Sequence, residues 1–157
     1  MVNFNSYPGP RRPMLAAQLR QASEATHDYV FTCLRESGFA DLRQSHFDLF
    51  RFPGPHGVTP TQLANHVGLS KQALNPLLKE LENWGYLTRV HDQKDRRRRT
   101  LQLSARGLEL VTAIREALEN LETRTRTLLG ATRFEDLLEA ISEIRSMAGS
   151  NKSMDPN

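Results

Sequence analysis

Apolar residues recur at helical spacing along most of this chain and switch to strict alternation in one short stretch. From Pro13 to about Ser37 the apolar set is Leu15, Leu19, Ala22, Val30, Cys33 and Leu34, which predicts a helix stopping at Gly38. A second helix is expected over roughly Arg43 to Phe50, then a loop at Pro53-Gly54-Pro55-His56-Gly57. Leu87-Thr88-Arg89-Val90 and Thr100-Leu101-Gln102-Leu103 alternate apolar with polar, as half-buried strands do, and predict a short β-hairpin. Ser104 then caps a long helix to about Leu129, with Val111, Ile114, Leu118, Leu121 and Leu128 in a heptad-like seam. A last helix, Thr132 to about Met147, is expected to bury Phe134, Leu137, Leu138, Ile141 and Ile144. Residues 1–12 read as a flexible arm and 149–157 as a disordered tail.

The densest signals lie just before the hairpin. Thr59 is a good N-cap, Pro60 suits the first helical position, and Gln62 completes a capping box. Leu63, Ala64 and Val67 form one face, and Gly68 ends the helix. Ser70 caps the next helix, expected from Lys71 to Trp84 with a stop at Gly85. Two short helices joined by a turn containing Gly make a helix-turn-helix. In its second helix Ala73, Leu74, Leu77, Leu78, Leu81 and Trp84 are assigned to the core, while Lys71, Gln72, Asn75 and Lys79 lie largely opposite.

Charge sharpens this picture. Between Thr59 and Gly107 nine Lys and Arg face four Asp and Glu, so this segment holds +5 while the rest of the chain holds −2. Four consecutive arginines, Arg96 to Arg99, follow Asp95 in the hairpin loop, where phosphate best rewards a cluster of guanidinium forks. Helix-turn-helix plus basic hairpin is a winged helix: the recognition helix enters the major groove and the hairpin reaches an adjacent minor groove. The expected fold is therefore mainly α with a small β-hairpin wing. Residues 38–103 form the winged helix-turn-helix, and residues 13–37 and 104–148 the helical dimerisation region. Only 38% of residues are apolar and 7% aromatic, too lean for a monomer to hide a long helical seam, so a second copy is expected to cover it.

These residues resemble the MarR family of bacterial regulators. The likeness is carried by Leu63-Ala64, by Ser70-Lys71-Gln72-Ala73, and by Leu78-x-x-Leu81-Glu82-x-x-Gly85-Tyr86-Leu87. It is strongest in Asp95-x-Arg97-x-x-x-Leu101-x-Leu103-Ser104-x-x-Gly107, where Ser104 replaces the family's usual Thr. The resemblance implies a homodimer on a pseudo-palindromic DNA site, and a wing in which Asp95 orients Arg97 toward the minor groove. It also implies a ligand pocket between the dimerisation and DNA-binding parts. One residue departs from the pattern: Pro76 falls in the recognition helix and has no N–H for the Gln72 carbonyl. Either the helix kinks there or its regular part starts at Pro76 with Asn75 as cap.

No paired carboxylates, nucleophile with a base, or phosphate-cradling Gly loop stands out, so neither an enzyme nor a cofactor is expected. The five histidines lack metal-ligand spacing. The single Cys33 excludes an intrachain disulfide, and with no signal peptide or long apolar run the expected location is the cytoplasm. The expected function is a sequence-specific double-stranded DNA-binding transcriptional regulator, a repressor released by a small ligand. Ser70, Lys71, Gln72, Asn75, Lys79, Asp95, Arg96, Arg97, Arg98 and Arg99 are the candidate DNA contacts. Tyr29, Arg43 and His46 are candidates for a small aromatic or phenolic effector, which would fit the family. The alternatives are a winged-helix module that binds a partner protein, and a regulator that senses redox state through Cys33.

Overall fold

The computed structural model describes residues 14–51, 57–91 and 99–150. It contains α1 (Leu15–Glu36), α2 (Gln44–Phe47) running into a 3-10 turn (Asp48–Arg51), α3 (Pro60–Val67) and α4 (Lys71–Asn83). A hairpin of β1 (Leu87–His91) and β2 (Arg99–Leu103) follows, then α5 (Ala105–Leu129) and α6 (Ala131–Ser150). The second predicted helix thus holds only one α turn before tightening. The last helix outruns its predicted end at Met147 and takes Gly149 and Ser150 out of the expected tail. The rest of that tail, 151–157, and the predicted arm, 1–12, lie outside the described residues.

The chain divides into two compact units after Ala117, inside α5. The first has a continuous core of Val30, Leu34, Leu49, Leu63, Leu74, Leu78, Leu81, Tyr86, Leu101 and Leu110, each almost wholly shielded from water. Each leucine so enclosed contributes about 1.5–3 kcal/mol. The helix-turn-helix forms as its caps dictate. Gln62 N donates to Thr59 Oγ1 at 3.2 Å and Thr59 N to Gln62 Oε1 at 3.0 Å. Gly68, in the left-handed region, ends α3. The strands pair antiparallel, Leu87 opposite Leu103 and Val90 opposite Thr100. Val58, directly after the predicted loop, adds an antiparallel bridge to Leu101, with N–H···O bonds of 3.0 and 2.8 Å. This one-residue third rung carries no alternation and was invisible in the sequence.

Burial corrects three apolar assignments. In α1 only Val30 and Leu34 are buried, and Leu15, Leu19 and Ala22 are exposed. In α4 Ala73 is exposed. In the second unit α5 turns into α6 at Gly130, and Arg126 binds Glu135 at 2.8 Å while stacking 4.3 Å over the Phe134 ring. Phe134 is the buried apolar residue of α6, whereas Leu137, Leu138 and Ile141 stay exposed and Ile144 half-buried. The amphipathic stripe exists, but a single chain does not cover it.

Candidate nucleic-acid interface

The outward face of α4 follows from its inward one. Leu74, Leu78 and Leu81, spaced four and three apart, bind it to the core. The same spacing displaced by two residues gives Gln72, Pro76, Lys79 and Asn83, all exposed on the opposite side. Lys71 and Asn75 are exposed beside this stripe. Ser70 Oγ accepts the Ala73 N–H at 3.2 Å, and Ser70 O accepts the Leu74 N–H at 3.0 Å. Ser70, a candidate DNA contact, therefore also serves as the helix cap. The alternative with Asn75 as cap is overturned: α4 is helical from Lys71 and continues through Pro76 to Asn83. Pro in a helix interior costs about 3 kcal/mol, which the three buried leucines outweigh.

Three polar contacts fix α4 from the side of the core. The first joins α2. His46 is wholly buried, and its Nδ1 accepts the Arg43 backbone N–H at 3.1 Å. The ring proton is therefore on Nε2, which donates to Glu80 Oε2 at 2.8 Å. The Arg43 guanidinium binds the same carboxylate oxygen, and the Trp84 ring stands edge-on to His46 at 5.1 Å. Hydrogen bonds from Arg43 first and His46 second hold the Glu80 carboxyl below its ordinary range. The second contact joins the wing: Arg89 Nε donates to Glu82 Oε1 at 2.7 Å.

The third gathers around Tyr86, just past α4. Its buried hydroxyl donates to Asp41 Oδ1 at 2.6 Å, and Arg106 donates to that hydroxyl at 3.1 Å and to Asp41 Oδ2 at 3.2 Å. Arg106 also lies 4.6 Å over the Tyr86 ring. Burial, and then the bond to Asp41, push the phenol up to about 12. Ser104 Oγ binds the Gly85 carbonyl and accepts the Gly107 N–H at 3.0 Å. A Cβ at Gly107 would overlap the Tyr86 carbonyl oxygen, so the start of α5 seats only against glycine.

The nine cations counted in the sequence are thus not equivalent. Arg89 and Arg106 are taken up by acids inside the fold, while Lys71 and Lys79 stand exposed on α4. Arg99 opens β2 opposite His91, at the wing tip of the described sheet. Asp95, Arg96, Arg97 and Arg98 lie outside the described residues.

Of the effector candidates, the structure brings Arg43 and His46 together on Glu80, a residue that no local signal in the sequence marked. Tyr29 packs half-buried against the core from α1. A cleft of about 280 Å³ opens elsewhere, against α4, lined by Leu49, Val67, Leu69, Ala73 and Leu77 with Ser45 and Asp48. None of the three candidates lines it. Cys33 is half-buried against the core. Among the described residues no group of three His, Cys, Asp or Glu converges on a common point, and no helix is long and apolar enough to cross a membrane.

Residues 40–98 match the model of the MarR family. That match spans the winged helix and a little over a third of the chain. Members of that family are transcriptional regulators and not enzymes. The chain is similar to the transcriptional regulator Tm0710 from Thermotoga maritima, at 26% identity and a TM-score of 0.60 over 88% of this chain and 96% of that one. It is similar in fold to the transcriptional repressor CouR bound to a 23-mer DNA duplex, at 22% identity and a TM-score of 0.66 over 84% and 92% of the two chains. S. aureus MepR bound to ethidium bromide shares the fold at 19% identity, with a TM-score of 0.62 over 87% and 97%. No curated protein sequence matches the chain.

Proposed function

We propose that this MarR-type regulator binds double-stranded DNA sequence-specifically as a homodimer and represses transcription until a small aromatic effector releases it. The observation that carries the reading is the exposed α4 face, Gln72, Asn75 and Lys79, held from behind by three polar contacts and followed by a hairpin whose loop contains Arg96 to Arg99. In this reading Gln72 and Asn75 meet base edges, Lys71, Lys79 and Ser70 meet phosphates, and Asp95 orients Arg97 in the minor groove. The DNA carried by CouR in its solved structure supports the partner class. The unsatisfied apolar face of α5 and α6 supports the dimer. Two-fold symmetry would space the recognition helices about 34–36 Å apart, or a multiple, with half-site centres about 10 bp apart.

The effector belongs to this proposal too. Arg43 and His46 are engaged by Glu80, so an anionic effector there would have to compete with that carboxylate. The cleft against α4 is free of this demand, and the ethidium bound by MepR, a protein of similar fold, supports an aromatic ligand.

The test is selection of duplexes from a randomised library followed by salt titration of the winning sequence. An inverted repeat is expected. Arg97→Ala should weaken binding to every duplex and reduce the salt slope by about one counterion per lost phosphate contact. No enrichment by the wild-type protein, or an unchanged salt slope in folded Arg97→Ala, would refute the assignment.

A further inference from the structure

Pro76 occupies the middle of the exposed stripe on α4, one turn beyond Gln72 and one turn before Lys79. Nothing in the fold calls for it there. It is the sixth helical residue, so it is not the first-turn proline that helices accept readily. It does not end the helix, which continues to Asn83. It is exposed and belongs neither to the buried core nor to the half-buried apolar residues packed against it. It also removes one backbone hydrogen bond from the helix that carries Lys71, Gln72, Asn75 and Lys79, all exposed. A residue that weakens its helix and stands open to solvent is placed to meet what lies outside.

Chemistry narrows what that is. The ring is a rigid apolar knob with no donor, set between an amide and an ammonium. In a major groove the apolar feature that differs among base pairs is the C5-methyl of thymine. Gln72 and Lys79 supply polar groups to the bases or phosphates on either side, leaving the knob to pack on a methyl between them. We infer that Pro76 is a specificity-determining residue that reads a thymine methyl at one position of each half-site. The inference rests on the proposed DNA binding through α4 and adds to it a base identity and a mechanism of discrimination.

The experiment uses the full chain and the consensus duplex selected by the wild-type protein. Each thymidine in turn is replaced by deoxyuridine, which keeps every hydrogen-bonding group and removes only the methyl. Wild-type protein is expected to lose about fourfold in affinity at one position per half-site, the worth of one buried methyl group, and to be indifferent elsewhere. Pro76→Ser should bind thymidine and deoxyuridine alike at that position, while melting at a higher temperature because the helix regains a hydrogen bond. Pro76→Val, apolar but able to donate its N–H, should retain the discrimination even if the serine variant fails to bind. Uniform tolerance of deoxyuridine by the wild type, or loss of discrimination in a folded Pro76→Val, overturns the inference and leaves DNA binding intact. Failure of the wild-type protein to enrich any duplex removes both.

Discussion

The two units of the chain have helices of similar amphipathic design and finish them differently. Up to Ala117, past the exposed Leu15 and Leu19, six periodic leucines are enclosed: Leu34, Leu63, Leu74, Leu78, Leu81 and Leu110 expose 1% or less of their surface. Beyond it, Leu137, Leu138 and Ile141 expose 40%, 46% and 43%, and Leu128 exposes 82%. The same 3-and-4 spacing is therefore read twice, once as an interior and once as a surface. Periodicity predicts which face of a helix avoids water. It does not say whether the cover comes from the same chain. The first unit has that cover, with polar contacts to fix its orientation. The second is anchored internally by Phe134 under Arg126 and by the Arg126–Glu135 ion pair.

Substitutions in the two units should separate these roles. The largest effect is expected from Gly107→Ala, which sets a methyl group against the Tyr86 backbone. Its cost should reach the exceptional range of about 4–5 kcal/mol, read as loss of the cooperative melt. A protein melting within a few degrees of wild type would show that the α5 start can shift.

Next comes a matched pair. Leu81→Ala should cost about 2–5 kcal/mol whatever the protein concentration, because its cover is internal. Ile141→Lys should leave the first unit folded yet make the melt independent of concentration, with light scattering near the 17.9 kDa chain mass. A lysine variant that keeps the mass of a dimer would move the interface off α6.

The smallest effects are electrostatic and differ in sign. Tyr86 has a raised folded value of about 12 against about 10 unfolded. Only the unfolded chain loses that proton in between, so its contribution is complete below pH 10 and falls as pH rises toward 12. Tyr86→Phe should flatten that alkaline decline and cost about 1–2 kcal/mol at neutral pH. Glu80 has a lowered value, so its contribution is present above the ordinary carboxylate range and is lost as pH falls through the folded value. Glu80→Gln should flatten the acid limb instead. Identical stability profiles for variants and wild type would remove these contacts from the account of how α4 is held.

What could be read in the sequence was what depends on near neighbours. The Thr59–Gln62 box, the Ser70 and Ser104 caps and the alternation of the two strands are local, and each appears where its residues predict it. The motif from Asp95 to Gly107 carried the strongest part of the likeness in the sequence, and its end from Leu101 onward is packing: Leu101 is buried, and Gly107 clears the Tyr86 carbonyl. What was illegible depends on distant partners. His46 and Glu80 are 34 residues apart, and neither sits in a pattern that foretells a buried imidazole. Tyr86 and Asp41 are 45 apart. Ala73 falls on the edge of the apolar stripe, where periodicity alone assigns it inward and the neighbouring cleft leaves it open.

The seat of Gly107 on the Tyr86 carbonyl has a mechanical meaning. Tyr86 lies just past the end of α4, and Gly107 lies in the first turn of α5. Between them there is no side chain to compress and no room for one. A joint without clearance transmits displacement instead of absorbing it. A tilt at the start of α5 must therefore be passed to the end of α4 or break the Ser104 and Arg106 contacts that surround the joint. Under the proposed function, such a joint would make the angle of α4 a direct gauge of the start of the helix that follows it.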